Sequence, residues 1–185
     1  MKILKLGILT LILAGCTTIE QSTRLSTNLE AREYNSVYAK YMDRPTFTSI
    51  EKMSDGNTVL AISRDNYGTT FSPLRFSKDY VSQYTVLIDK YLEWNQLAIS
   101  RGDAITKDIG KAQTWGNSMS GTLKFTFHSG NSTVHYLSIS FCAAGTCLDD
   151  QSLYFDSKNA RELKNLLVQL GSGLVEAKNE NDIYK

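Results

Sequence analysis

Two histidines are the first residues of this chain whose chemistry could make a site, because imidazole serves as a general base and as a metal ligand. His128 ends one segment of alternating apolar residues and His135 begins the next, with a turn between them. A two-residue turn would pair Phe125 with Tyr136 and put both histidines on one face of a hairpin. A turn one residue longer pairs Phe125 with Leu137, keeps the apolar side chains together and puts the histidines on opposite faces. We favour the longer turn and expect the histidines to be neither co-ligands nor catalytic partners.

Three aspartates, Asp149, Asp150 and Asp156, could form an acidic site for a cation or for cleavage of a glycosidic bond. Two adjacent carboxylates alone are a weak pattern, and their position in a loop favours solvated charge. The sequence also lacks the EF-hand ladder, the glycine-rich phosphate loop and the His-Glu-x-x-His zinc pattern. We therefore expect no catalytic residue, no metal and no cofactor, with a cell-envelope hydrolase that uses this acidic loop as the alternative.

Cys142 and Cys147 flank the sequence Ala-Ala-Gly-Thr. This is not the Cys-x-x-Cys redox spacing, and no histidine pair with zinc-finger spacing follows it. The spacing places one cysteine at the end of a strand and the other at the start of the next, where facing positions can meet the distance that a disulfide needs. We predict a disulfide that closes a small hairpin.

A third cysteine, Cys16, closes the sequence Leu-Ala-Gly-Cys after the apolar segment 3–13. Lys2 and Lys5 give that segment a positive start, as in a secretory signal. The apolar segment is too short to span a membrane, which takes about 20 residues. The whole segment resembles the lipobox signal of bacterial lipoproteins.

That resemblance covers residues 1–16 and implies that Cys16 carries a lipid anchor. In this class the thiol receives a diacylglyceryl group, the signal is cut before the cysteine, and the new amino group is usually acylated. Two or more acyl chains hold a protein firmly on a membrane. Thr17 stands where aspartate would favour the inner membrane, so the resemblance implies the periplasmic face of the outer membrane. Disulfides persist in such an oxidising compartment.

Composition excludes one class of partner and limits the size of the domain. The chain has 185 residues and a net charge of +1, and without residues 1–15 the charge is −1. A nearly neutral chain gives no electrostatic argument for binding nucleic acid. We expect a signal peptide at 1–15, a flexible tether at 16–28, a single domain at 29–173 and a charged, frayed tail at 174–185.

The first half of the mature chain predicts one helix and three strands. Residues 29–42 carry tyrosines at steps of three and four, which weakly favours a helix. Residues 47–53 and 58–64 flank an Asp-Gly turn and predict a hairpin. Residues 71–76 predict an edge strand, because Pro73 cannot donate a hydrogen bond to a neighbour.

The clearest element is a long helix with Ser77 as its N-cap and Gly102 at its end. It has an aromatic stripe formed by Tyr80, Tyr84, Leu87, Tyr91, Trp94 and Ala98. We expect this stripe to pack in the core. If it bound a ligand instead, the domain would be a carrier of a small lipophilic molecule.

After this helix the apolar period changes to two, which predicts strands at 104–115, 121–128, 134–141 and 152–155. In the favoured register Leu123 faces Ile139. A last helix begins at Asp156 or Ser157. The predicted fold class is α+β, with a single antiparallel meander packed against a long central helix and a C-terminal helix.

Trp115 stands beside Gly116 at a predicted loop, where an exposed aromatic side chain would suit contact with a partner. The alternative is that Trp115 folds back over the edge of the sheet. The absence of a catalytic pattern leads us to expect a non-catalytic domain that binds another cell-envelope component, as an assembly accessory or an inhibitor. The hydrolase and the lipophilic carrier remain the alternatives.

Overall fold

The strands form two antiparallel sheets. The computed structural model describes residues 17–65, 72–116 and 119–177. Within these ranges one sheet has four strands and the other has seven. The predicted α+β class with antiparallel strands and two helices is confirmed, whereas the predicted single sheet is wrong.

In chain order the strands are β1 (Ile19–Leu25), β2 (Ala31–Asn35), β3 (Lys40–Arg44), β4 (Thr46–Met53), β5 (Thr58–Arg64), β6 (Leu74–Ser77), β7 (Thr106–Gly116), β8 (Met119–Ser129), β9 (His135–Ala143), β10 (Thr146–Cys147) and β11 (Leu153–Phe155). The four-stranded sheet has the order β1-β4-β5-β6. The seven-stranded sheet has the order β3-β2-β11-β9-β8-β7, and β10 pairs with β9.

The two sheets meet at β6 and β7. Strand β6 ends the four-stranded sheet, as Pro73 predicted, and the chain then enters a long helix before it reaches β7. The Thr114 hydroxyl on β7 donates a hydrogen bond to the backbone carbonyl of Arg75 on β6. The sheets thus touch at this edge, although the intervening helix separates them along the chain.

The helices are α1 (Val81–Arg101) and α2 (Ser157–Ser172). Ser77 accepts a hydrogen bond from the Asp79 N–H and caps the 3-10 turn that leads into α1. Gly102 ends α1 with φ 68°, a left-handed conformation that glycine adopts without strain. Asp156 caps α2 by accepting from the Asn159 N–H. The predicted end at Gly102 and the predicted cap at Asp156 are confirmed, whereas α1 itself begins four residues after Ser77, at Val81.

The helices run antiparallel to each other and share one hydrophobic core with both sheets. Lys164 of α2 forms an ion pair with Asp89 of α1 at 2.6 Å. The fully buried core side chains include Tyr84, Tyr91, Phe76, Phe125, Phe127, Phe155, Ile50 and Leu60. The aromatic stripe of α1 therefore supplies core packing at Tyr84 and Tyr91.

The predicted tether at 16–28 is wrong for most of its length. Residues 19–25 form β1, which pairs along β4 from Ile19 opposite Met53 to Leu25 opposite Thr48. The Thr18 N–H donates to Ser54 Oγ at 2.9 Å, and the Thr18 carbonyl accepts from the Ser54 N–H at 2.8 Å. The polar sequence concealed this strand because β1 is an edge strand with mostly exposed side chains.

The predicted helix at 29–42 is also wrong, because this segment forms the β2–β3 hairpin. Asn35 Oδ1 accepts hydrogen bonds from the N–H groups of Val37 (3.0 Å) and Tyr38 (3.1 Å), and Ala39 has φ 50°. Asparagine side chains stabilise turns in this way. Tyr34 and Tyr41 face each other across the two strands.

The register of β8 and β9 differs from both predicted registers. Phe125 lies opposite Ile139 and Leu123 lies opposite Phe141, with residues 130–134 as the connection. The favoured register was wrong by two residues. Because two residues is a full period of a strand, the apolar faces stay together and the histidines lie on opposite faces, as predicted.

Two predicted segments, the strand at 71–76 and the tail at 174–185, lie partly outside the described residues. Phe71 of the predicted strand at 71–76 and residues 178–185 of the predicted tail are not described. Within 174–177, Leu174 is 79% exposed, whereas Val175 and Ala177 pack against the core.

Candidate functional site

Aromatic side chains gather on the outer face of the seven-stranded sheet, which lies away from the helices. His128 and Tyr136 face each other across β8 and β9. The next pair, Phe127 and Leu137, is fully buried on the inner face, so His128 and Tyr136 point outward. Tyr154 on β11 shares this outer face.

Tyr41 lies at the centre of this group. Its ring centroid is 4.4 Å from that of Tyr136, 5.0 Å from that of Tyr154 and 5.2 Å from that of Tyr34. Its hydroxyl hydrogen-bonds with Nε2 of His128. Such tilted ring contacts contribute about 0.5–1.5 kcal/mol each beyond the area they bury. We call Tyr34, Tyr41, Tyr136, Tyr154 and His128 the tyrosine cluster.

These contacts require the β2–β3 hairpin to bend across the sheet. In the sheet order, β3 and β8 are separated by β2, β11 and β9. With strands about 4.8 Å apart, a flat sheet would keep Tyr41 on β3 roughly 19 Å from His128 on β8. The hydrogen bond between them therefore shows that the hairpin folds back over the outer face. The tyrosine cluster fixes the hairpin there.

The tip of this hairpin is apolar and exposed. The exposed fraction is 83% for Val37, 66% for Tyr38 and 48% for Tyr34. The ammonium group of Lys40 lies 5.8 Å from the centroid of the Tyr38 ring. Scattered exposed apolar residues are ordinary, but a contiguous group on a fixed turn is typical of a contact surface.

Burial changes the acid–base properties of the tyrosine cluster. Burial raises the pKa of Tyr41 to about 12, with the neighbouring tyrosines adding to the effect. Burial lowers the pKa of His128, whose Nδ1 lies 3.1 Å from Thr106 Oγ1. Both groups are thus kept neutral near pH 7, as suits a packed aromatic cluster.

Stability is expected to fall as the pH drops from about 7 to about 5. Burial lowers the pKa of His128 and His135 below the ordinary value of 6.5, so the unfolded chain binds these protons more readily. The loss begins as the pH falls through the ordinary pKa and ends below the folded-state pKa. Urea unfolding at several pH values measures it, and the variant His128→Gln should lose less stability over this range. An equal loss in the variant would contradict the assignment to His128.

The N-terminal end of the described chain lies beside the start of α1. Thr18 is hydrogen-bonded to Ser54, and the same turn contains Asn57. Asn57 Oδ1 accepts from the hydroxyl of Ser77, the cap at the start of the helical segment. We call this the proximal end of the domain.

Tyr41 of the β2–β3 hairpin lies at the opposite end of the domain, beside His128. The Ile105 N–H donates to Ser129 Oγ at 3.0 Å, just after α1 ends, and Ser129 follows His128 of the tyrosine cluster. We call this the distal end. The 21 residues of α1 separate the two ends by about 30 Å at 1.5 Å per residue.

The structure places Trp115 in strand β7, half-buried, with the guanidinium carbon of Arg75 5.6 Å from its ring centroid. It is therefore not at an exposed loop, and the alternative that it folds over a sheet edge fits better. Residues 117–118, which follow β7, are outside the described ranges. The tyrosine cluster and Trp115 lie at different ends of β7, since Thr106 of β7 contacts His128.

Two of the three aspartates of the predicted acidic site, Asp149 and Asp156, are engaged with the fold, whereas Asp150 is exposed. Asp149 binds Lys124 Nζ at 2.8 Å and accepts from the Ser140 hydroxyl at 2.8 Å, and these contacts lower its pKa. Asp156 caps α2 and lies 3.4 Å from Arg32.

Cys142 and Cys147 lie opposite each other in the β9–β10 hairpin with their sulfur atoms at bonding distance, as a disulfide requires. We expect Cys142→Ser/Cys147→Ser to lower the free energy of unfolding by about 2 kcal/mol, the loop-entropy value for so short a ring. Urea unfolding with and without a reductant measures this. The reductant should shift the parent protein and leave the variant unchanged; a parent that does not respond would contradict the pairing.

A polar cleft of about 670 Å³ lies between the N-terminal part of α2 and the segments that join β1 to β2 and β3 to β4. Asn159 at its floor is already engaged, since its Oδ1 accepts from the Glu30 N–H and its Nδ2 donates to Asp156. Of the charged side chains around the cleft, Asp43 is paired with Arg32 and Arg44 with Glu33.

No described helix is both long and apolar enough to cross a membrane. No three histidine, cysteine, aspartate or glutamate side chains in the described ranges lie close enough together to hold a metal ion. Cys16, the predicted lipidation site, lies outside the described residues.

The hairpin tip is not predicted from the sequence, because the spacing of Tyr34, Tyr38 and Tyr41 fits a helix. The usable signal was Asn35, a residue that favours turns, placed between two segments that each contain tyrosine.

No protein-family model, curated protein or solved structure matches this chain.

Proposed function

We propose that this chain is a lipid-anchored, non-catalytic protein of the bacterial outer membrane whose periplasmic domain binds another envelope protein through the β2–β3 hairpin. The observation that carries the proposal is the exposed apolar tip, Val37 and Tyr38, fixed in place by the tyrosine cluster. Rigid, exposed aromatic side chains make good contact residues because little conformational entropy is lost when they bind.

The anchor and the hairpin fit together in this proposal. Only Thr17 and Thr18 lie between Cys16 and Ile19, the first residue of β1, so Cys16 can be at most about 10 Å from it. A lipid on Cys16 would therefore hold the proximal end close to the membrane. The hairpin at the distal end would then be presented about 30 Å further out, where a periplasmic partner is accessible.

Neither alternative gains support from the contacts. For the hydrolase, Asp149 and Asp156 are bound to Lys124 and to the start of α2, which leaves only Asp150 exposed. For the carrier, Tyr84 and Tyr91 of the aromatic stripe are fully buried.

Co-purification from chemically crosslinked envelopes tests the docking surface. The parent protein should recover a specific envelope protein, and Val37→Ser/Tyr38→Ser should lose it, because two central apolar contacts of this kind typically reduce affinity by tenfold or more. The matched control is Val86→Ser/Val168→Ser, which removes exposed valines from the helices (65% and 52% exposed). Equal recovery by both variants, or recovery of background proteins alone, would contradict the proposal.

Mass spectrometry of the purified protein tests the anchor separately. We expect a chain that starts at Cys16 and carries two or three acyl groups, and a Cys16→Ser variant that is not acylated. An unmodified Cys16 in protein from the native host would exclude the lipid anchor and leave the docking surface to be judged on its own test.

A further inference from the structure

A second apolar surface lies at the distal end, between the last turns of α1 and the start of β7. It is a groove of about 240 Å³ lined by Trp94, Leu97, Ala98, Asp103, Ile105 and Lys107. Leu97 is 55% exposed and Ile105 is 45% exposed. Trp94 forms the inner wall, because the edge of its ring packs against the buried Phe127, with 6.1 Å between the ring centroids. The groove is therefore a shaped, apolar depression with a firm base.

Two lysines give this groove a positive rim. The ammonium groups of Lys90 and Lys107 lie 4.9 Å and 5.3 Å from the centroid of the Trp94 ring. Neither ammonium group forms an ion pair with any residue in the described ranges, whereas Asp103 is paired with Arg101 at 2.7 Å. Each is attracted to the indole ring by a cation–π interaction, and Lys90 Nζ also donates to the Ile109 carbonyl at 3.5 Å. A ligand with negative charge would add the carboxylate partner that both ammonium groups lack within the described ranges.

We infer that the Trp94 groove binds an acidic peptide segment of a partner protein, with one large apolar side chain in the groove and carboxylates on Lys90 and Lys107. Ligand sites for small molecules usually measure about 300–1,000 Å³, so a smaller groove suits a single side chain. An apolar anchor surrounded by charged contacts is the usual arrangement of a protein–protein hot spot.

The position of the groove favours a peptide over a lipid surface. Trp94 lies 13 residues beyond the first residue of α1, about 20 Å along the helix axis from the proximal end. With the lipid on Cys16, the groove would point away from the membrane. The inference rests on the proposed function in this respect, because it assigns partner chemistry to the distal end of the same domain.

Fluorescence titration tests the groove without the lipid or the natural partner. The chain has two tryptophans, so Trp115→Phe leaves Trp94 as the only reporter. The probe is the synthetic peptide Asp-Glu-Asp-Leu-Glu-Asp-Glu, blocked at both ends. We expect a saturable change in Trp94 emission with a Kd below about 1 mM at low salt.

Variants of the protein and of the peptide test the charged contacts and the apolar contact separately. Lys90→Gln/Lys107→Gln in the protein should weaken binding by about five- to tenfold, given the modest strength of exposed ion pairs. Leu→Ala in the peptide should weaken binding by about tenfold, because the apolar contact is lost. Lys52→Gln/Lys158→Gln is the matched control, and it should bind as the parent does.

Three results would overturn the inference. These are no saturable change with the acidic peptide, equal binding of a peptide with Asn and Gln in place of the acids, or a response to phosphatidylglycerol vesicles without a response to the peptide. The last result would make the groove a lipid contact. If the peptide does not bind at Trp94, the hairpin proposal still stands, because Val37 and Tyr38 are tested by co-purification. If the hairpin variant keeps its partner, peptide binding at Trp94 can still be measured.

Discussion

Replacement of Glu51 by leucine is expected to lower the free energy of unfolding by about 3–5 kcal/mol, because it removes one partner of a buried ion pair. Glu51 Oε2 lies 2.7 Å from Arg75 Nε, and the two side chains are 9% and 6% exposed. A guanidinium group that loses a carboxylate partner in such surroundings loses the attraction that offsets much of its desolvation cost. Urea unfolding followed by circular dichroism measures the loss.

The double variant Glu51→Leu/Arg75→Met is the control. Removal of both charges leaves no unbalanced buried charge, so the double variant should be more stable than Glu51→Leu alone. The result also bears on Trp115, because Arg75 lies against the Trp115 ring and holds this part of β7 beside β6. A loss below about 1 kcal/mol for Glu51→Leu, the value of an exposed pair, would contradict the burial of the pair.

Replacement of Phe127 by alanine is expected to cost about 3–5 kcal/mol through lost burial and the cavity left behind. Phe127 is fully buried, and its ring centroid is 5.8 Å from that of Tyr91 and 5.1 Å from that of His135. Trp94 also packs on it, so the variant should loosen the base of the Trp94 groove.

Urea unfolding gives the stability loss of Phe127→Ala, and the Trp94 emission of the Trp115→Phe background reports the groove. We expect a red shift of the emission in the folded variant, since more water would reach the indole ring. Phe127→Leu, which keeps most of the volume, should lose less stability and shift the emission less. A stable Phe127→Ala protein with unchanged emission would contradict the packing described.

The long helix could be predicted from sequence because its boundaries and its buried face are local signals. Ser77 and Gly102 provide end signals within a few residues of the helix, and Tyr84 and Tyr91 lie on one face by helical spacing alone. The hairpin of Cys142 and Cys147 is local in the same sense, because only four residues separate the two cysteines.

The β2–β3 hairpin could not be predicted with the same ease, because its tyrosines make their contacts far along the chain. Tyr41 packs against Tyr136 and Tyr154, and these partners are invisible in a local window. Spacing of three and four fits a helix equally well, and tertiary packing overrides such weak propensity. The candidate site was therefore the part of the molecule that the sequence described least.

The strand register shows a related limit. Alternation determines which side chains of β8 and β9 face the core, and Leu123 and Phe125 do face it. Alternation does not distinguish registers that differ by two residues, so Phe125 pairs with Ile139 instead of Leu137. Likewise, the order of the predicted strands along the chain does not show that β6 and β7 end two different sheets.

The central claim is that the distal end of a membrane-held domain is its contact surface, and site-specific photocrosslinking in intact cells tests it most directly. A photoreactive side chain is placed in turn at Tyr38 and Leu97 at the distal end, and at Val86 and Val168 on the helices, all of which are more than half exposed. We predict that the same envelope protein is captured from Tyr38 and Leu97 and is absent at Val86 and Val168. Capture confined to Val86 and Val168, or equal capture at all four positions, would contradict the claim.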